Sequence, residues 1–283
     1  MTGFDVIGDV HGHAHRLQHL LARMGYTERH GVWAHSNRTA VFLGDLIDRG
    51  PGQLDTLQTV RAMVETGSAQ IVLGNHEFNA VAYATHDPER DDYCRSHNDK
   101  HTSQHEAFLA DVIFGSSLHR SIIDWFTTIP LWLDLGGLRV VHACWSADHI
   151  EHLEAQTGPG NTLTEQTVID ATTKGTPTHE AVETVLKGPE GHLDGVRYLD
   201  KDGHPRDHAG EVLLNPATAK RSPSEASPWL RMSTACFSIS MVFLSPACSP
   251  VEPLTSSRTS TARSRRSSTI ATRIRITQGI VSR

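Results

Sequence analysis

Apolar residues follow two rhythms along the first half of the chain. Short unbroken apolar runs alternate with stretches in which leucine, valine and methionine recur every three or four positions. Phe4–Gly8 (FDVIG) is the first run and has the length of a buried strand. Leu17, Leu20, Leu21 and Met24 then fall at i, i+3, i+4 and i+7, one face of a helix, with Gly25 placed to cap it. Ala40–Leu43 reads as a second strand. Leu54, Leu57, Val60, Met63 and Val64 read as a second helix stopped by Gly67, and Gln70–Leu73 as a third strand. Residues 86–105 are polar and irregular, after which Ser103–Ile113 and Leu118–Thr127 regain helical spacing. Leu138–Val141 (LRVV) is a fourth strand, His179–Leu186 a helix, and Val196–Asp202 a strand that turns at Asp202-Gly203. Alternating strands and helices predict an α/β chain whose first sheet is largely parallel. There is no internal repeat.

Each of the four strands runs directly into polar residues of a narrow kind. They are Gly8-Asp9-Val10-His11-Gly12, Gly44-Asp45-Leu46-Ile47-Asp48-Arg49-Gly50, Gly74-Asn75-His76-Glu77 and His142-Ala143. Ligands of open α/β sheets collect at the carboxyl ends of the strands, so four distant segments can aim side chains at one point. Two carboxylates facing each other there repel unless a cation lies between them. A set of carboxylates, imidazoles and an amide, with no thiolate, suits Mn²⁺, Fe, Zn²⁺ or Mg²⁺.

In this order, GDxHG, GDxxDRG, GNHE and a strand-ending Val-His resemble the calcineurin-like metallophosphoesterases. The likeness is to the branch shared by Ser/Thr protein phosphatases and bacterial diadenosine tetraphosphatases, and it covers roughly residues 4–206. The resemblance implies an α-β-β-α sandwich of two sheets flanked by helices, and two divalent metal ions, Mn²⁺ foremost. It assigns Asp9 and His11 to the first metal, Asp45 to both, and Asn75 and His142 to the second. It makes His76 the general acid, Asp48 its orienting partner and Arg49 the phosphate grip. Physical chemistry agrees with these roles. Two cations about 3.5–4 Å apart acidify a shared water into a nucleophile. A positioned imidazolium helps a poor leaving group by about 10²–10⁴-fold, and the planar fork of Arg suits phosphate. The implied activity is hydrolysis of phosphate monoesters, first of all phosphoserine or phosphothreonine in proteins. A dinucleoside polyphosphate hydrolase is the alternative, and an inactive relic a third reading.

Composition narrows the partners. The formal net charge is −6, so the chain as a whole does not read as a nucleic-acid binder. No run of apolar residues is long enough for a membrane span. No basic segment followed by an apolar one opens the sequence, and Cys94, Cys144, Cys236 and Cys248 show no CxxC spacing, so the expected setting is the reducing cytoplasm. The partners expected are a phosphorylated protein or a small phosphoester, and the sequence is silent on oligomeric state. His13, His15 and His19 fall mostly off the apolar face of the first helix and read as solvated. His97, His101 and His105 would align on a helix, but the stretch has little apolar support for one. Residues 86–121 read instead as a cap over the site, with Arg95 or Lys100 as candidate substrate contacts. Cys144 reads as a small buried residue, and Trp145 as a packing residue.

The chain changes character near its end. All 19 histidines lie at or before His208. Residues 221–283 contain nine Arg, two Glu, and 22 Ser or Thr, but no His, Asp or Lys. They therefore carry +7, against −13 for the rest (17 basic and 30 acidic residues). The resemblance calls for one further histidine on the second metal near the C-terminus, and none follows His208; His204 and His208 are weak substitutes. Residues 1–208 are thus expected to form the metallophosphoesterase domain. Residues 209–283 are expected to be a disordered or frameshifted tail that leaves the second sheet incomplete, although Ser238–Leu244 has the composition of a strand. A chain lacking that histidine should bind its first metal more tightly than its second and turn over weakly. Metal counting on purified protein alongside a phosphatase assay checks this, and two full equivalents with ordinary turnover would refute it.

Overall fold

The structure, a computed structural model, describes residues 3–192 and, beyond them, the strand segments 198–199, 205–206, 208–210, 241–244 and 273–277. Strand β1 (Gly3–Ile7) leads into helix α1 (Ala14–Met24), the hairpin β2 (Thr27–Arg29) and β3 (Val32–Ala34), then β4 (Arg38–Phe42), α2 (Gln53–Glu65), β5 (Ala69–Ile71) and α3 (Asn75–Ala84). There follow β6 (His86–Asp87), β7 (Asp92–Tyr93), α4 (Asp99–Gln104), α5 (Glu106–Asp111) and α6 (Ser117–Thr127). Next come β8 (Trp132–Asp134), β9 (Leu138–Val141), α7 (Ala147–Glu154), α8 (Glu165–Thr172) and α9 (Pro177–Lys187). The remaining strands are β10 (Glu190–His192), β11 (Tyr198–Leu199), β12 (Pro205–Arg206), β13 (His208–Gly210), β14 (Met241–Leu244) and β15 (Arg273–Thr277).

Successive side chains of a strand point to opposite faces, and β1 and β4 use both. Ile7, Ala40 and Phe42 join the larger core, where Leu17 and Leu21 of α1 and Leu57, Val60 and Met63 of α2 cover one face of the sheet. Val6 and Val41 point the other way and meet Val72, Leu43, Leu138 and Val140 in a smaller core. Leu138 and Val140 belong to β9, so this smaller core is the seam between two sheets. The first sheet is parallel, in the order β15-β1-β4-β5; the second is antiparallel, β14-β9-β8. The fold is therefore α/β with a parallel sheet flanked by helices, as expected.

Several boundaries differ from the sequence reading for identifiable reasons. The periodic stretch Ser103–Ile113 is broken at His105, which ends α4 and opens α5. The polar segment 86–105 is not wholly irregular: it holds a two-residue hairpin and α4, capped by Asn98, whose side chain accepts from the His101 amide. Strand β8 and helices α7 and α8 are too short to show a clear period. The strand expected at Ser238–Leu244 is found as Met241–Leu244, antiparallel to β9, and Arg273–Thr277 pairs with β1. Most of 209–283, and most of Val196–Asp202, fall outside the described residues. Among the described residues, no helix is long and apolar enough to cross a membrane.

Two turns of the first sheet touch through their backbones. A Cβ on Gly44, whose φ is +86°, would lie 2.2 Å from the amide nitrogen of Gly74. Gly44→Ala is therefore expected to cost about 2–4 kcal/mol, from left-handed strain plus overlap with unyielding backbone. Gly67→Ala, at φ +74° with open space around it, should cost only about 1–2 kcal/mol. Urea unfolding of the two variants checks the difference, and equal costs would refute it.

Candidate metal and catalytic site

The loops after β1 and β4 are stitched together. His11 donates its backbone N–H to Asp45 O at 2.8 Å, Gly12 to Leu46 O at 2.6 Å, and Gly50 to His11 O at 2.6 Å. This lattice holds four predicted site residues in the left-handed region: Asp9 (φ 47°), His11 (47°), Asp45 (53°) and Asp48 (84°). Such conformations cost about 1–3 kcal/mol each and persist only where the surroundings impose them.

Asp45 is the meeting point. Its Oδ2 lies 3.6 Å from Nε2 of His11, and its Oδ1 lies 3.6 Å from Nε2 of His142. His142 comes from the end of β9, so the site spans the seam between the sheets. Asn75, the first residue of α3, brings its Oδ1 to 3.0 Å from Nε2 of His142. His76 sits 4.0 Å from Asp45 through Nε2, and its own amide donates to Asp45 Oδ1 at 3.2 Å. Its Nδ1 meets Oδ2 of Asp48 at 2.8 Å. Arg49 is exposed and close enough to act on the charges of Asp9 and His11.

The donor set fits cations. His11 bonds through Nδ1 to Ile47 O at 2.9 Å, and His142 bonds through Nδ1 to Leu43 O. Both rings thus take the tautomer that turns an Nε2 lone pair toward Asp45, as metal-ligating histidines do. Burial lowers the His11 imidazole to about 4, keeping it neutral. Burial first, and then the neighbouring Asp45, push the Asp9 carboxyl up to about 6, and its Oδ1 is buried without a hydrogen-bond partner. In that tautomer of His142, Nε2 and Asn75 Oδ1 are both acceptors, a contact that a cation between them would make favourable. Burial also pushes the Asp45 carboxyl up, but the imidazoles of His142, His76 and His11 outweigh it and hold it at about 2. His11, Asp45 and His76 offer ligand atoms within 4.8 Å of one another. His76 differs from the other two: burial disfavours its charge, but Asp45 and the bond to Asp48 outweigh that and raise it to about 9.

The other candidates, His105 apart, separate from this centre. His15 and His19 are exposed and His13 is half-buried before α1. His97, His101 and His105 do not share a helix. His97 stacks between Tyr83 and Tyr93, His101 bonds to Ser96 O, and His105 reaches Asp48. Arg95 is held by Asn79 and Gln104, and Lys100 is exposed. Cys144 is buried, and burial raises its thiol. Trp145 packs against the core beneath the Arg139 guanidinium. His204 lies outside the described residues.

Sequence reasoning gave no role to Glu77, Gln53 or the Asp48 contact of His105. Glu77 is fully buried and accepts from the backbone N–H groups of Asp45 (2.8 Å), Leu46 (2.7 Å) and Gly74 (3.1 Å). Burial, then Asp45, raise its carboxyl to about 7. Its place three residues after Gly74 is the capping-box position, a signal available in the sequence. Gln53, also fully buried, accepts from Asp48 N (3.0 Å) and donates to Gly50 O (2.6 Å).

The family model for the calcineurin-like phosphoesterases matches residues 3–182, and the chain belongs to that family. It is similar to the asymmetrical bis(5'-nucleosyl)-tetraphosphatase PrpE of Bacillus subtilis, 31% identical over 150 residues, which are 52% of this chain and 59% of the relative. The PrpE of Oceanobacillus iheyensis is 42% identical over 73 residues, 25% of this chain and 29% of the relative. The chain thus spans less than two thirds of the length of these relatives. Among solved structures, the cold-active protein-tyrosine phosphatase of a Shewanella species aligns with a TM-score of 0.41 and 16% identity, over 63% of this chain and 58% of its own.

Removing Glu77 should loosen the centre from beneath. Glu77→Ala strands three buried N–H groups, and unsatisfied buried donors cost about 1–3 kcal/mol each, so a loss of about 3 kcal/mol or more is expected. Glu77→Gln turns an amide donor toward some of those N–H groups and should recover only part of it. Chemical denaturation measures both, and an alanine variant within about 1 kcal/mol of the parent would refute the role.

Proposed function

We propose that this chain hydrolyses dinucleoside polyphosphates at a two-metal site. Asp9, His11 and Asp45 would hold one divalent cation, and Asp45, Asn75 and His142 the other, with Mn²⁺ the first candidate among the metals (Mn²⁺, Fe, Zn²⁺, Mg²⁺) that suit oxygen and nitrogen donors. Bound there, the cations would offset phosphoryl charge and acidify a water. The observation that carries the reading is Asp45, with one oxygen facing His11 and the other facing His142, each at 3.6 Å. One carboxylate set against two imidazole lone pairs is the arrangement of a bridging ligand.

The chain's own side chains supply the rest. Arg49, exposed beside Asp9 and His11, grips the phosphate. His76 carries a proton on Nε2 and gives it to the leaving oxygen, while Asp48 holds Nδ1. The substrate is proposed from the named relatives, which are tetraphosphatases. Phosphoserine peptides, the first reading of the sequence, become the competing substrate.

With Mn²⁺ present, diadenosine tetraphosphate should be cleaved faster than a phosphoserine peptide or p-nitrophenyl phosphate. Asp9→Asn or a chelator should lower that rate by about 10²-fold or more, with the fold retained by circular dichroism. Preference for the peptide would overturn the substrate, and activity indifferent to both treatments would overturn the site.

A further inference from the structure

Asp48 serves two imidazoles. Its Oδ2 meets Nδ1 of His76 at 2.8 Å, and its Oδ1 meets Nδ1 of His105, which the segment between α4 and α5 brings in from 57 positions along the chain. The Asp48 amide is fixed separately by Gln53. We propose that His105 is a positioning residue for His76: by occupying Oδ1 of Asp48 it commits Oδ2 to His76 and aims Nε2 of His76 at the space beside Asp45. The inference rests on the reading of His76 as the acid given above.

A core histidine is more often a packing residue, and His105 has the surroundings of one. It is 4% exposed and stacks on Phe108 with centroids 4.7 Å apart and planes 25° from parallel; Tyr83 lies 5.5 Å away. Phenylalanine would fill that slot without burying polar atoms, whose burial is costly unless they are bonded. Yet Nε2 of His105 is buried with no hydrogen-bond partner. The polar return on this imidazole is therefore concentrated at Asp48. The stack fixes the ring plane, which fixes the direction of Nδ1, which fixes the carboxylate.

The balance at Asp48 supports this. A carboxylate with one ring donor on each oxygen cannot swing to present the same oxygen to both. Without His105, the side chain is free to rotate about Cβ–Cγ and the His76 ring loses its single orientation. Misplacing a catalytic group by about 1 Å costs up to about 10²-fold in rate.

The test compares the full chain with His105→Phe, which keeps the stack, and His105→Asn, whose amide N–H replaces Nδ1–H. His105→Leu replaces the Phe variant if that one does not fold by circular dichroism. The primary reading is the imidazole nitrogen spectrum of histidine-labelled protein, with the His76 signal assigned by its loss in His76→Asn. The parent should show His76 protonated and hydrogen-bonded at Nδ1. His105→Phe should shift that signal toward an averaged, solvent-exposed ring, and His105→Asn should restore it.

A second reading uses two aryl phosphates. On phenyl phosphate, a poor leaving group, kcat should fall about 10-fold or more in His105→Phe with KM little changed. On p-nitrophenyl phosphate it should fall less than about 3-fold. A purely structural role would lower both alike. An unchanged His76 signal in His105→Phe, or equal losses on the two esters, overturns the inference. A His76→Asn variant with no leaving-group dependence overturns the reading of His76 itself, which separates the two failures.

Discussion

Asp45 carries a carboxylate with 2% of its surface exposed, and Asp9, Glu77 and Asp48 bring three more acidic side chains into the same few turns. Burying that much negative charge is unfavourable unless positive charge and directed donors meet it. The surrounding architecture answers this requirement. Glu77 is wired to three backbone amides, Asp48 to two imidazoles, and His76 becomes the protonated member of the group. Around Asp45, the predicted ligands left unmatched include Asp9 Oδ1 and the facing lone pairs of His142 and Asn75. The proposed cations would fall in those gaps.

The tight loops follow from the same demand. Ligands from four strand ends converge only if the chain reverses at once, and here it does so with aspartates and a histidine in left-handed backbone. Gly44 and Gly74 let two of the turns touch. Strain at these positions is tolerated because each loop bonds to the next, so the site is held by its neighbours more than by its own local preferences.

Much of this was legible from residue order. Apolar runs located β1, β4 and β9 within about two residues, since buried strands have an unbroken signal. The polar residues that follow them named the centre, because few side chains suit a strand end aimed at a cation. The rest was hidden for physical reasons. Glu77 works through backbone amides, which have no sequence identity to match. His105 sits in a stretch whose helical period runs straight across it, and its partner Asp48 is far away in the chain. Reading 86–121 as a cap gives no sign that His105 reaches Asp48, the residue behind the proposed acid. Strand β14 could be guessed from composition, but its pairing with β9 could not.

The seam between the two sheets is small. Val6, Leu43, Val41, Val72, Leu138 and Val140 supply its apolar contact, and His142 lies at its rim facing Asp45 from the opposite side. An ion bonded to both would act as a clasp across the halves of the sandwich, tightening their docking by the free energy of its own binding. Occupancy and the docking of the two sheets would then be coupled, each bound ion tightening the seam without being what folds either half.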